Sequence, residues 1–280
     1  MRIRSFRGLV CGALAAAFWA AGPAHAADLY LAGDLGISWY GGDGKGTNDL
    51  VGITNKGSSD DQTPVWGAAL GAVFPLSSAL PFKMRLPGFA IPYWPGHEMR
   101  YEGSDEATLP DWEMRTDVEY LNGRDAELAT PSFNPLDTYR VDAHTWTLMG
   151  KVRLDVPLRT PVRALLGRMP ALEPVSLYLG GGAGVGFSEL KVNTGVLAGK
   201  DSEKQQFAWQ GIAGIGYDLT ERVKLSLGYR YLALGQEKAR LIDAAGVDRG
   251  NYKMDLSAHE FSASLAVRFW QLPPLLGDDE

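Results

Sequence analysis

Few residues of this chain could carry reaction chemistry. Outside the first 26 residues the histidines are His97, His144 and His259. A hydrolytic site needs a serine activated by a histidine and an acid. His144 is followed by Thr145 and Trp146, and His259 by Glu260, Phe261 and Ser262. On an extended chain that puts serine and histidine on opposite faces. Interfacial histidines are expected, not an enzyme. The run GGGAGVG at 180–186 misses the dinucleotide glycine spacing, and no Lys-Ser or Lys-Thr follows it, so it reads as close packing. Asp43, Asn48, Asp49, Asp60 and Asp61 lack the ordered ligand spacing of a calcium loop and read as a solvated acidic stretch. The single cysteine, Cys11, excludes thiolate metal clusters and disulfides. No cofactor or metal is expected.

The informative polar residues are charges that share one face of alternating segments. They are Asp34, Glu113, Arg115, Asp117, Glu119, Lys151, Arg153, Asp155, Asp218, Lys224, Arg230, Glu260 and Arg268, seven acids against six bases. In a narrow, poorly hydrated interior an unpaired ion is costly, whereas near-equal numbers of both signs can satisfy each other. Setting Tyr229 opposite Phe261 brings Arg230 opposite Glu260, within cross-strand reach. Glu113, Asp117 and Glu119 should similarly approach Lys151 and Arg153. A structural plug is the expected role; a conducting or gated pore is the functional alternative.

The elements that position these charges have period two, the signature of strands with unlike faces. Eight segments show it, near 28–40, 64–74, 111–121, 143–156, 175–188, 206–218, 222–232 and 258–270. Each can cross a bilayer core, which needs about 9–11 tilted residues. The face opposite the charges carries none; in the fifth segment it reads Leu177, Leu179, Gly181, Ala183, Val185, Phe187. A soluble sandwich could also keep charge off one face. Here, however, the charged face also holds many small residues, among them Gly71, Gly180, Gly182, Gly184, Gly214, Gly228, Ser262 and Ser264. An eight-stranded barrel is only just wide enough for its inward side chains, so small residues must face large ones. Aromatics gather at segment ends. Trp39, Tyr40, Trp66, Tyr120, Trp146, Trp209, Tyr229 and Tyr231 mark one rim, and Tyr30, Phe74, Trp112, Tyr217, Phe269 and Trp270 the other, as interfacial girdles do. Polar connections at 41–63, 122–142, 189–205 and 233–257 would form exposed outer loops.

Composition and ends agree. The chain has 280 residues, 45% hydrophobic and 21% charged, with 34 Gly. Its mean hydropathy is −0.12, and no long apolar run follows the N-terminus, so a polytopic helical membrane protein is excluded. Arg2, Arg4 and Arg7 precede an apolar stretch from Gly8 to Gly22, and Ala24 and Ala26 occupy the small-residue positions of a signal peptidase site. Residues 1–26 therefore read as a Sec signal peptide. Removing three of the 27 basic residues leaves 24 against 33 acids, a charge of −9, which argues against nucleic acid as a partner. Residues 27–270 read as the barrel, with long periplasmic connections at 75–110 and 157–174, and 271–280 as a periplasmic tail with no room for a peptidoglycan-binding module. The segments 81–96 and 160–170 mix bases with aromatic and aliphatic residues between prolines, a composition suited to resting on a lipid interface or docking a partner, and equally to an ordered loop packed under the barrel floor. A hairpin from 81–104 would raise the strand count to ten.

The strings YLGGGAGVGF (178–187), FAWQGIAGIGYDLTERVKLSLGYRYLALG (207–235) and HEFSASLAVRFW (259–270) resemble the OmpA-type, opacity-protein-like family of small outer-membrane β-barrels. The resemblance implies an all-β fold, an eight-stranded antiparallel transmembrane β-barrel in up-and-down meander order, located in the outer membrane as a monomer. It implies contact with outer-membrane lipid and lipopolysaccharide, and loops where an extracellular ligand would dock. It also implies that the closing strand, ending at Phe269 and Trp270, is read by the barrel assembly machinery. The expected role is structural and surface-interactive, in envelope integrity. A narrow porin-like channel is the first alternative and a lipid A-modifying barrel enzyme the second. The tail after Trp270 and the long periplasmic connections depart from the family pattern.

Overall fold

A computed structural model of the chain describes residues 27–48, 53–75, 112–131, 138–158, 170–193, 197–199, 202–243 and 248–272. Ala24 and Ala26 with the rest of residues 1–26, most of the connections 75–110 and 157–174 with the segment 81–96 and all but Pro170 of 160–170, and the residues past Leu272 lie outside the described residues.

The strands are β1 (Ala27–Asn48), β2 (Ile53–Pro75), β3 (Glu113–Pro131), β4 (Thr138–Pro157), β5 (Val175–Asn193), β6 (Leu197–Gly199), β7 (Ser202–Asp218), β8 (Val223–Asp243) and β9 (Asp248–Leu272). Eight long strands pair antiparallel with their chain neighbours, and β1 pairs with β9 to close the ring. The three-residue β6 bridges β5 and β8. Since β2 pairs directly with β3, the ring closes with eight long strands, not ten. Closure removes the free edges over the lower half of the strands; higher up, the β2–β3 ladder ends at Trp66/Asn122 and the β7–β8 ladder at Trp209/Ala233.

The long strands run from 17 to 25 residues, well beyond the bilayer requirement of about 9–11. The connections expected at 41–63, 122–142, 189–205 and 233–257 are therefore mostly strand. Alternation continues through them with its polarity reversed. In the lower part of β9 the outward residues are Phe261, Ala263, Leu265 and Val267, all exposed, while Glu260 points in. Higher up, the outward residues are Asn251, Lys253 and Asp255, and the inward ones Tyr252, Met254, Leu256 and Ala258. A reading keyed to an apolar outward face sees only polar loop there.

Two glycines with positive φ, Gly123 at 102° and Gly235 at 81°, sit at register shifts between β3 and β4 and between β8 and β9. Each is a bulge that changes the strand's parity. Before Gly123 the inward residues are odd-numbered; after it Arg124, Ala126 and Leu128 are the buried ones. A further shift at Leu29/Tyr30 leaves Phe269 unpaired, so that Phe269 and Trp270 are both exposed.

The upper interior is a buried apolar core that includes Tyr40, Leu128, Val141, Met149, Leu190, Leu232, Leu234, Met254 and Leu256. Tyr40 and Tyr30, expected at the rims, are both buried inside, because their even numbers share the inward parity of Asp34. In the lower interior large and small residues interlock. A Cβ at Gly214 would lie 2.6 Å from the Tyr178 ring, and one at Gly228 would fall on the Tyr178 hydroxyl. The outward Gly211 has nothing within 4 Å of its Cβ position. Gly228→Ala should therefore destabilise the barrel by about 1–3 kcal/mol, while Gly211→Ala should be neutral. The urea midpoint of the heat-modifiable folded form in detergent reads both.

Candidate functional site: the barrel lumen and the outer wall

The inward charges form two tiers. In the upper tier Glu119 accepts hydrogen bonds from Lys151 Nζ at 2.8 Å, Arg230 Nη2 at 2.9 Å and Gln210 Nε2 at 3.1 Å. Arg230 also reaches Glu260 at 3.1 Å, and Lys151 lies 3.3 Å from Asp117. Arg124 Nε donates to Glu260 at 2.6 Å. The tier thus sets Asp117, Glu119 and Glu260 against Arg124, Lys151 and Arg230, and every one of these side chains is buried. Tyr30 donates its hydroxyl proton to Asp117.

In the lower tier Asp155 is the hub. Arg115 Nε at 3.0 Å, Arg153 Nε at 2.7 Å and Lys224 Nζ at 2.8 Å converge on it. Glu113 pairs with Arg115 at 3.2 Å and Arg268 at 2.7 Å, and Arg268 reaches Asp28 at 3.4 Å. The Arg153 guanidinium lies 4.4 Å from the Tyr178 ring centroid and that of Arg115 5.4 Å from Tyr30, within cation–π range. Between the tiers is a cavity of about 30 Å³, lined in part by Asp34, Asp117, Lys151, Tyr178 and Arg230. Asp34 is buried there with one carboxylate oxygen lacking a hydrogen-bond partner among the described residues.

Arg230 stands opposite Glu260 with Tyr229 opposite Phe261, and Lys151 lies between Glu119 and Asp117. Two placements differ from expectation. Arg153 turns to Asp155, and Glu113 to Arg115 and Arg268. The sequence reading missed Arg124, Gln210, Tyr30 and Tyr178. Arg124 follows the Asn122-Gly123 pair, which reads as a turn; the left-handed conformation that glycine favours serves a bulge instead.

On the outer wall an aromatic belt runs nearly around the barrel. Trp66 packs on Tyr120 at 5.8 Å, Tyr120 on Trp146 at 5.8 Å, and Trp146 stacks on Phe187 at 3.8 Å. Trp209 meets Tyr231 at 5.5 Å, and Trp39 meets Phe261 at 5.7 Å. His259 belongs to the belt, its Nδ1 2.6 Å from the Tyr229 hydroxyl. Ser257 shares its outward face, but no hydrogen bond joins the two among the described residues. His144 contacts Asp125 higher on the wall, beside Glu127, Asp142, Glu189 and Lys191. Among the described residues no group of three or more potential ligands is arranged to hold a metal ion. Asp43, Asp60 and Asp61 lie in the β1–β2 ladder, not in a loop; Asp61 accepts the Glu127 backbone N–H at 3.1 Å. Asp49 and His97 lie outside the described residues.

Residues 100–269, more than half of the chain, match the model of the outer membrane protein beta-barrel domain. Over 99 residues the chain is 32% identical to uncharacterized proteins of Brucella abortus and Brucella melitensis. That alignment covers 32% of this chain and only 30% of theirs. Among solved structures, Neisserial surface protein A aligns with a TM-score of 0.38 at 17% identity, over 88% of this chain and 100% of that one. OprG from Pseudomonas aeruginosa aligns at 0.42 and 11%, over 88% and 98%. An eight-stranded ring with an exposed apolar band and a charged interior needs hydrocarbon around it, and the family match names the bilayer as the outer membrane. The chain belongs to the outer membrane protein β-barrel domain family.

Proposed function

We propose that this protein is a non-conducting, non-enzymatic barrel that contributes to envelope integrity and works through its outer wall and loops. The observation that carries the reading is the filling of the lumen. The cavity between the ion tiers, about 30 Å³, has room for a water or two. Above it the interior is packed with Tyr40, Met149, Leu232, Leu234, Met254 and Leu256, none more than 3% exposed. A porin-like path would need a water column through both. A lipid A-modifying enzyme gains no support from the histidines: His144 has an acid partner in Asp125 and His259 bonds the Tyr229 hydroxyl, but neither hydrogen-bonds a serine among the described residues.

The ion tiers act in this reading as a structural plug, and the protein is a monomer surrounded by lipid and lipopolysaccharide. Phe269 and Trp270, both outward and exposed, suit recognition by the barrel assembly machinery.

Three outcomes are expected. Protein purified from outer membranes should give no discrete conductance steps in planar bilayers at any voltage; regular steps would favour the porin-like alternative. Glu260→Gln should lower unfolding stability by about 3–5 kcal/mol, because it strips a buried pair of one partner. Adding Arg124→Gln should recover part of that loss, and a double-mutant cycle reads the coupling. Joint substitution of Phe269 and Trp270 by Ala should slow assembly, seen as unfolded chain in pulse-chase heat-mobility gels; normal kinetics would remove the assembly role.

A further inference from the structure

Four lysines face outward in one register on four neighbouring strands. Lys238 of β8 lies opposite Lys253 of β9, Lys253 opposite Lys45 of β1, and Lys45 opposite Lys56 of β2. All four are exposed. With strands about 4.8 Å apart the row is roughly 14 Å long. Like charges directly opposite one another weaken a sheet, yet three successive pairings carry them in a chain with 33 acidic and 27 basic residues. Among the described residues Lys45, Lys56 and Lys253 form no ion pair, and Lys238 has an interaction of its own. The adjoining register on the membrane side reads Gln236, Asp255, Asp43, Ser58. There Gln236 donates to both Asp255 oxygens, at 3.2 and 3.4 Å. On the far side Arg240 adds a fifth exposed cation. The opposite flank has an acidic excess, with Asp125, Glu127, Asp142 and Glu189 against Arg140, His144 and Lys191. Positive charge is thus concentrated on one side of the wall.

The height of the row indicates what meets it. Six residues separate Lys45 from Trp39 in the aromatic belt, roughly 20 Å along a strand at about 3.3 Å per residue. A strand tilt of about 40° makes that about 15 Å above the belt. The molecules packed against an outer-membrane wall at that level are the saccharides of lipopolysaccharide, whose phosphates and carboxylates complement a line of ammonium groups. We propose that the wall of β8, β9, β1 and β2 binds the anionic core saccharide of lipopolysaccharide in the protein's own membrane, with Lys238, Lys253, Lys45 and Lys56 as the contact row. The proposal rests on the reading that this barrel works through its outer surface.

The test uses protein purified from outer membranes in mild detergent. Its probes are lipopolysaccharide with an intact phosphorylated core, the same material after phosphate removal, and lipid A lacking the core. Replacing the four lysines by Gln should weaken binding of intact lipopolysaccharide at least about tenfold at low salt, with the difference shrinking as salt screens it. The core-free probe should bind wild type and variant alike, and the dephosphorylated probe, which keeps its carboxylates, should show a smaller difference than intact lipopolysaccharide. Replacement by Arg should preserve binding, as should Arg140→Gln with Lys191→Gln on the other strands. Heat-mobility gels establish that each variant is folded, and the milder pair Lys45→Gln, Lys253→Gln provides a second reading. Wild-type binding of intact lipopolysaccharide by the folded Gln variant would overturn the proposal. So would an equal loss towards core-free lipid A. Loss of crosslinking between copies with lipopolysaccharide binding retained would assign the row to a second copy instead. Conductance steps from the Gln variant would count against the closed lumen alone, so the two readings fail separately.

Discussion

Glu119 meets an ammonium, a guanidinium and an amide in a space one side chain deep. The rest of the lower barrel follows from that confinement. Eight strands enclose too little room to hydrate ions, so each carboxylate must find its cations across the lumen. Long arms from β3, β4, β8 and β9 cross the lumen, and glycines leave room for large inward side chains: a Cβ at Gly216 would lie 2.6 Å from the Lys224 chain. Tyr178 occupies the room left at Gly214 and Gly228, and Arg153 lies over its ring. The glycine pattern and the ion pattern are therefore one constraint seen from opposite walls. Removing one partner from such a network strands the other in a poorly hydrated site, which explains why the charges come in near-equal numbers.

The reversal of polarity along the strands has an equally simple origin. Where hydrocarbon surrounds the barrel, burying apolar groups inside gains nothing from water, and the outward face must be apolar. Where water surrounds it, apolar burial inside becomes the driving force. The same strand and the same parity therefore carry Lys224 and Arg230 inside near the bilayer and Leu232 and Leu234 inside above it. The belt of Trp39, Trp66, Tyr120, Trp146, Trp209 and Tyr231 marks the level at which the solvent changes. Gly123 and Gly235 lie just above it, where bulges add a residue and reset the parity of β3 and β8.

A filled interior shifts attention to the outside. The upper wall carries an excess of cations on β8, β9, β1 and β2, beside Asp43, Asp60 and Asp255, and an excess of carboxylates on β3, β4 and β5, beside Arg140 and Lys191. An evenly solvated wall would gain by interspersing the signs, since opposite charges across a strand pair stabilise it and like charges do the reverse. The lysine row sits above the aromatic belt, outside the hydrocarbon-facing band.

The sequence by itself determined the eight strands, their lower faces and the pairing of Arg230 with Glu260, because a period of two with hydrocarbon on one side leaves a one-sided record of charge. It could not reveal the upper half of the strands, since a water-facing wall and a polar loop have similar composition. Nor could it assign Arg124 to Glu260, because a glycine that permits a turn also permits a bulge, and only strand pairing chooses between them. The convergence on Asp155 and the alignment of four lysines depend on register between strands far apart in the chain. Register is a property of the closed sheet, and only the tertiary structure decides it.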